Sequence, residues 1–243
     1  MHLIKLDATP STNDFLKEKS KTTTLPDFTI VSCDHQSAGK GQKGNEWVVE
    51  KGKNLTFSVL KRFNQLKAEQ VFFVNCAVSL AIWQVLSELA VPDLKVKWPN
   101  DIMSGNHKLC GILIENSLKG DEIKQCIIGI GLNVNQDHFS NLPRASSLKL
   151  KTGKTYDLDL LLGELAIRLK EKIKLIDNSD FDRLKTAYEN QLYRFGKNAR
   201  FIKKDGEAID GSICGITNSG QLQVKTENGE ISVFGFKEIR YVY

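Results

Sequence analysis

The sequence predicts an α+β domain followed by a small all-β module. Three features carry this expectation. Strand-like runs alternate with helical ones as far as residue 192. One long apolar helical stretch occupies residues 71–89. At Phe195-Gly196 the chain changes character to short strands separated by turns.

Each element rests on a local signal. Ser11-Thr12-Asn13-Asp14 ahead of Phe15-Leu16-Lys17-Glu18 is an S-x-x-D capping box that opens a short helix. Residues 28–33 and 55–60 are expected strands, joined by a long loop, residues 39–52, rich in Gly and Lys. The apolar stretch is interrupted by Asn75, Ser79, Gln84 and Glu88, which marks a buried helix of a soluble core and not a membrane span. Residues 94–98 read as a strand that stops at the turn signal Pro99-Asn100-Asp101. Residues 109–115 and 123–133 form an expected hairpin around Lys119-Gly120-Asp121. Two helices are expected over 158–176 and 181–192, the first with Leu161, Leu165, Leu169 and Ile173 at helical spacing. Turns at Lys204-Asp205-Gly206, Asn218-Ser219-Gly220 and Glu227-Asn228-Gly229 then divide a tail that suggests a small β-barrel. The expected domains are 1–193 and 194–243.

Composition excludes several classes. With 243 residues, 41% of them hydrophobic and 26% charged, the chain is an ordinary globular protein. The formal net charge of +5 is explained by scattered surface lysines and makes no case for nucleic acid. The five cysteines (Cys33, Cys76, Cys110, Cys126, Cys214) are odd in number and scattered, without C-x-x-C or zinc spacing. They read as free thiols of a reducing cytosol. Met1-His2-Leu3-Ile4-Lys5 lacks the apolar run of a signal peptide. His2, His35, His107 and His138 show no ligand spacing, and neither a G-x-S-x-G elbow nor a Walker P-loop occurs.

Four segments could carry chemistry. Gly39-Lys40-Gly41-Gln42-Lys43-Gly44 matches G-x-G-x-x-G, but Asn45-Glu46-Trp47-Val48-Val49 follows where a dinucleotide fold needs a helix. A kinase glycine loop is excluded by the missing H-R-D and D-F-G signatures. What remains is a flexible loop of backbone N–H and ammonium groups able to wrap an anion. On local evidence it reads equally as an exposed surface loop. Lys97-Trp98-Pro99-Asn100-Asp101 presents polar groups at a sheet edge, although Asn and Asp also cap ordinary turns. In Lys108-Leu109-Cys110-Gly111-Ile112-Leu113-Ile114-Glu115 one lysine heads an apolar strand whose glycine permits close approach of a ligand. Gly129-Ile130-Gly131-Leu132-Asn133 is an apolar strand ending in Gly and Asn, and is weak when taken singly.

Taken together and in this order, these segments resemble the biotin protein ligases. Ser11-Thr12-Asn13, Gln36 and the tail join the resemblance, which covers nearly the whole chain. It implies a mixed-sheet catalytic domain of the biotin/lipoate ligase type with a C-terminal SH3-like barrel. It also implies an ATP-dependent ligase that forms biotinyl-5′-AMP and transfers biotin to one lysine of a biotin carboxyl carrier protein or domain. On this resemblance Ser11, Thr12 and Gln36 would hold the ureido end of biotin, with Asn13 beside them. Gly39, Lys40, Gly41 and Gln42 would lie in a loop over the biotin carboxylate and adenylate. Gly111 would lie in the biotin site. Lys108 would meet the carboxylate and α-phosphate, with Lys40 and Asp101 as further catalytic groups. Lys97, Asn100 and Asp101 would position ATP and its Mg2+, and Trp47 and Asn133 would lie near the adenine. No residue is assigned firmly to a metal.

The family loop is commonly G-R-G-R-x-G, so Lys40 and Gln42 depart from it. Lys40 keeps the charge without a bidentate fork, and Gln42 loses the charge. Some relatives carry an N-terminal helix-turn-helix, for which residues 1–10 leave no room before Ser11. A monofunctional cytoplasmic ligase is therefore expected, without DNA or membrane partners, and a homodimer is compatible with it. Two other readings are a lipoate or octanoate ligase or transferase and a catalytically silent biotin-binding regulator. The missing DNA-binding unit and the intact Lys108 weigh against the regulator. Because the matching segments all precede residue 194, the C-terminal module is expected to support adenylation or acceptor docking without supplying the main biotin contacts.

Overall fold

In the computed structural model, polar residues alternate with apolar ones along the long strands, and this period-2 pattern fixes which sheet face is core. The structure describes residues 2–140 and 142–242. Met1 and Tyr243, at the outer limits of the two expected domains, lie outside them, as do Asn141 and the side chain of Lys43.

The chain runs β1 (His2–Thr9), α1 (Thr12–Thr22), β2 (Thr29–Gln36), β3 (Leu55–Lys67), α2 (Phe72–Glu88), β4 (Leu94–Lys97), β5 (Asp101–Ser104), β6 (His107–Lys119), β7 (Glu122–Leu132), α3 (Leu148–Thr152), α4 (Leu158–Asp177) and α5 (Phe181–Asn190). The seven strands form one mixed sheet in the order β1-β2-β3-β7-β6-β5-β4. Only β1 and β2 are parallel; the other pairs are antiparallel. The expected hairpin is present as β6 and β7, longer than expected, and α1, α2, α4 and α5 stand where their signals placed them.

The long apolar helix α2 has little amphipathic character because most of its length is buried, from Phe72 through Ile82 and at Val85 and Leu86. It packs against α4, α5 and strands β4 to β6. It is long and apolar enough to cross a membrane, but it is largely enclosed by this core. Helix α4 buries Leu161, Leu165, Leu169, Ile173 and Ile176 along one face. Its N-cap Asp157 accepts hydrogen bonds from the backbone N–H groups of Asp159 and Leu160, a cap that contributes about 1 kcal/mol.

The tail forms β8 (Asn198–Lys203), β9 (Ala208–Ile216), β10 (Leu222–Thr226), β11 (Ile231–Phe234) and β12 (Ile239–Tyr241), an antiparallel sheet in the order β11-β10-β9-β8-β12. Among the described residues no β11–β12 ladder closes this sheet into a full barrel. Its apolar side chains Phe201, Ile213, Ile216, Leu222 and Val224 are continuous with the core under the large sheet.

Candidate functional site

The large sheet has two unlike faces at its centre. Toward the helices, Phe57 and Val59 of β3 stand beside Ile128 and Ile130 of β7 and Ile112 of β6, all in the main core. One residue over along each strand, the opposite face carries small or polar groups at every position of the two rungs but Leu113. There Thr56, Gly131 and Gly111 form one rung across β3, β7 and β6, and Ser58, Gly129 and Leu113 form the next. The two rungs are about 7 Å apart along the strands. A cleft lies over them, lined by Ser11, Thr12, Asn13, Gln36, Lys40, Gly41, Gln42, Trp47, Asn100 and Lys108.

Helix α1 starts at the second rung. Ser11 is its N-cap and accepts a hydrogen bond from the Asp14 N–H, so Thr12 and Asn13 open the helix directly over the sheet. Asn13 occupies the space a Cβ on Gly129 would need; such an atom would lie 2.4 Å from Asn13 Oδ1. The Asn13 amide is held at both ends. Its Nδ2 donates to Glu115 Oε2 at 2.8 Å, and its Oδ1 lies 2.6 Å from Ser58 Oγ. Ser58 Oγ also lies 2.7 Å from Thr12 Oγ1, and its single proton serves one of the two at a time. Thr12 donates to Gln36 Oε1 from its backbone N–H at 2.8 Å and from its hydroxyl at 3.0 Å. Ser11, Thr12, Asn13 and Ser58 are all buried. This end of the cleft is therefore a pre-ordered set of hydrogen-bonding groups, suited to a polar head and unsuited to an alkyl chain.

The glycine-rich loop folds back over the first rung. Gly41 N–H donates to Asn45 O at 2.7 Å and Trp47 N–H to Gly39 O at 2.9 Å, so residues 39–47 form a closed turn. Trp47 thereby lands on the sheet. A Cβ on Gly131 would lie 2.3 Å from its ring, and one on Gly111 would lie 3.3 Å from it. The Lys40 ammonium pairs with Asp14 at 2.7 Å; this hydrogen bond and charge push its pKa above the ordinary lysine value. Both partners are exposed, at 54% and 40%, so the pair holds the loop only weakly.

Lys108 lies across Gly111. A Cβ there would lie 3.1 Å from Nζ. Nζ pairs with Asp101 Oδ1 at 2.6 Å and stands 5.7 Å from the Trp47 ring centroid. The Lys108 backbone is fixed on both sides of the peptide, by Arg144 O at 2.7 Å and by the Ser146 N–H at 3.0 Å. Asn100 is tied to β6 through Nδ2 to Ile112 O at 2.6 Å and through its own carbonyl to the Ile112 N–H. A second cleft adjoins this one, bounded by Trp47, Val48, Lys108, Asn133, Phe139, Leu142 and Arg144. The Asn133 side chain is buried and donates to Ser146 O at 3.0 Å.

The structure thus brings Ser11, Thr12, Asn13, Gln36, Lys40, Gly41, Gln42, Trp47, Asn100, Lys108 and Gly111 to one cleft, with Asp101 behind Lys108 and Asn133 in the adjoining one. Gly39 lies at the base of the loop. Lys97 stands apart, its ammonium 5.3 Å from the Tyr241 ring centroid. The sequence reading missed Thr56, Ser58, Glu115 and the pairing of Gly131 with Trp47. Thr56 and Ser58 alternate with Leu55, Phe57 and Val59, a period-2 polar signal that could have marked them. Burial raises the thiol pKa of Cys110 beside Lys108 and pushes that of Cys126 up to about 12, away from the thiolate form that a nucleophile needs.

Known proteins resemble this chain along most of its length. The biotin/lipoate A/B protein ligase family matches residues 6–133, slightly more than half of the chain. The bifunctional ligase/repressor BirA of Bacillus spizizenii is 28% identical over 232 residues, covering 94% of this chain and 70% of that protein. A biotin--[acetyl-CoA-carboxylase] ligase of Paracoccus denitrificans is 30% identical over 208 residues, covering 82% and 85%. Among solved structures, biotin protein ligase from Aquifex aeolicus in complex with biotin and ATP superimposes with a TM-score of 0.81 at 27% identity, covering 99% of both chains.

Proposed function

This chain belongs to the biotin/lipoate A/B protein ligase family, and we propose from that premise that it is a biotin protein ligase, which activates biotin with ATP and transfers it to a lysine of a carboxylase. The observation that carries biotin over a lipoyl or octanoyl group is the buried set of Ser11, Thr12, Asn13 and Ser58, joined by the half-buried Gln36. A cyclic urea matches such groups, whereas an alkyl tail would strip them of solvent without replacing its hydrogen bonds.

The rest of the cleft supports the chemistry. In the first step the biotin carboxylate attacks the α-phosphorus of ATP, an oxygen–phosphorus bond forms, and pyrophosphate leaves. Two anions must meet, so a fixed cation has to offset their repulsion and the charge that builds on phosphorus. Lys108 is that cation. Asp101 at 2.6 Å and the brace at Arg144 and Ser146 hold it over Gly111, whose missing side chain leaves the ammonium room at the cleft. Trp47 and Asn133 bound the adjoining cleft, which would take the nucleotide. Asp101 offers one carboxylate, and among the described residues no group of three acidic, Cys or His side chains could cage an ion. That donor set fits Mg2+ held by substrate phosphates with one or two protein carboxylates, where it would neutralise phosphate charge.

The product, biotinyl-5′-AMP, is a mixed anhydride that water destroys. Lys40 exchanges Asp14 for the ligand's oxygens as the loop of residues 39–47 closes over the adenylate and excludes water. The acceptor lysine, as a free amine, then attacks the acyl carbon; an amide forms and AMP leaves. No covalent enzyme intermediate is required. The acceptor is a biotin carboxyl carrier protein or domain, and five free thiols fit a reducing, cytoplasmic setting.

The test is to incubate the pure protein with ATP, a biotin carboxyl carrier domain, and biotin, lipoic acid or octanoic acid in turn. Biotin should give a single-site mass gain on the carrier with pyrophosphate release. Release supported by lipoic or octanoic acid and not by biotin would overturn the proposal.

A further inference from the structure

The turn that presents Asn100 and Asp101 to the cleft is gripped from behind by three separate elements. Asn75 Nδ2 of α2 donates to Pro99 O. Tyr188 of α5 donates its hydroxyl to the same oxygen at 3.0 Å. The third grip comes from the C-terminal sheet. Trp98 is buried, and its Nε1–H donates to Gly220 O at 2.9 Å across 122 positions of sequence.

Gly220 sits in the turn between β9 and β10, with φ of +84°, and a Cβ there would lie 2.0 Å from Phe72 Cγ. Around this contact the rings stack without a gap. Phe236 lies 5.3 Å from Trp98 and 6.0 Å from Phe72, and Phe72 meets Tyr188 edge-on at 5.7 Å. Neither Trp98 nor any residue of the C-terminal sheet lines the cleft.

We infer that Trp98 and Gly220 are positioning residues through which the C-terminal sheet sets the geometry of Asn100 and Asp101, and so governs the ATP half of the reaction and not biotin binding. The geometry gives this direction. Trp98 is two residues from Asn100 and three from Asp101, and Asp101 holds the Lys108 ammonium. The biotin-end groups on α1, β2 and β3 are built by hydrogen bonds that never pass through this turn. Misplacing a reacting group by a fraction of an ångström is enough to slow a step that depends on alignment. The inference rests on the reading of Asp101 as part of the ATP site.

The experiment uses the full chain with Trp98→Phe, which keeps a ring and removes the N–H donor, and Gly220→Ala, which crowds Phe72. Pyrophosphate exchange against ATP concentration, biotin affinity by calorimetry and thermal unfolding are measured for each. Both variants should lose exchange efficiency toward ATP by about tenfold, with biotin affinity unchanged within about twofold. Val224→Ala, a cavity in the C-terminal core away from the turn, serves as the stability control. An equal loss in Val224→Ala, or a parallel loss of biotin affinity in Trp98→Phe, would overturn the inference. Asp101→Asn reports separately on the underlying reading. Unchanged ATP dependence there overturns that reading and the coupling with it, whereas a loss there with none in Trp98→Phe and Gly220→Ala overturns the coupling alone.

Discussion

The two faces of β3, β6 and β7 are built for opposite purposes. On one, Phe57, Val59, Ile112, Ile128 and Ile130 interlock with the helical layer. On the other, Thr56, Ser58, Gly111, Gly129 and Gly131 leave room that α1 and the loop fill with Asn13 and Trp47. The residues alternate, so adjacent positions serve opposite purposes. Side-chain volume holds the fold together on the core face, and the absence of volume makes the site on the other.

The sharpest way to break this contrast is to change neighbours on β7. Ile128 is fully buried on the core face. Ile128→Ala should destabilise by about 2–5 kcal/mol, through lost burial and the cavity left behind. Exchange activity per folded molecule should persist at low temperature. Urea unfolding alongside activity checks both halves.

Gly131→Ala should do the reverse. The added methyl would lie 2.3 Å from the Trp47 ring, so the loop cannot seat, and exchange should fall by about 10²-fold. The unfolding midpoint should barely move, since the cost falls on an exposed loop. If the two variants behaved alike, the division of labour between the faces would be lost.

The loop itself sharpens the comparison at smaller scale. Gln42→Arg supplies a planar, charged fork and should hold biotinyl-5′-AMP about tenfold more tightly, near 1.4 kcal/mol. Lys40→Ala should release the adenylate faster and label bystander lysines. Stopped-flow dissociation compares parent and both variants; three equal rates would mean that Lys40 and Gln42 only decorate a solvated loop.

How much of this was legible in the sequence depends on distance along the chain. Local signals were read correctly: the Ser11 cap, the buried α2, the β6–β7 hairpin and the turns of the tail. Strand β1 was missed because it is an edge strand with an almost wholly exposed or half-exposed pattern, which carries little hydrophobic signal. Strand β5 and helix α3 were missed because each is only four or five residues long. Within the cleft, the segments that carry a glycine or a charge were singled out. Ser58 was not, and Glu115 closed a segment without a role of its own, because their meaning lies in Asn13, 45 and 102 positions away. The glycines of β7 were seen as a motif, but nothing local says that Gly131 is the seat of Trp47. Register across strands decides that, and a period-2 pattern fixes the face without fixing the partner.

The most direct test of the central claim, that the open face is where biotin is adenylated and Lys108 its electrostatic centre, is biotin-dependent exchange of pyrophosphate into ATP by the parent and by Lys108→Ala. The parent should exchange only when biotin is present. The variant, folded to the same unfolding midpoint, should be slower by about 10²–10³-fold, the scale of losing one fixed stabiliser of developing charge. Near-normal exchange by Lys108→Ala, or exchange by the parent without biotin, would contradict the account.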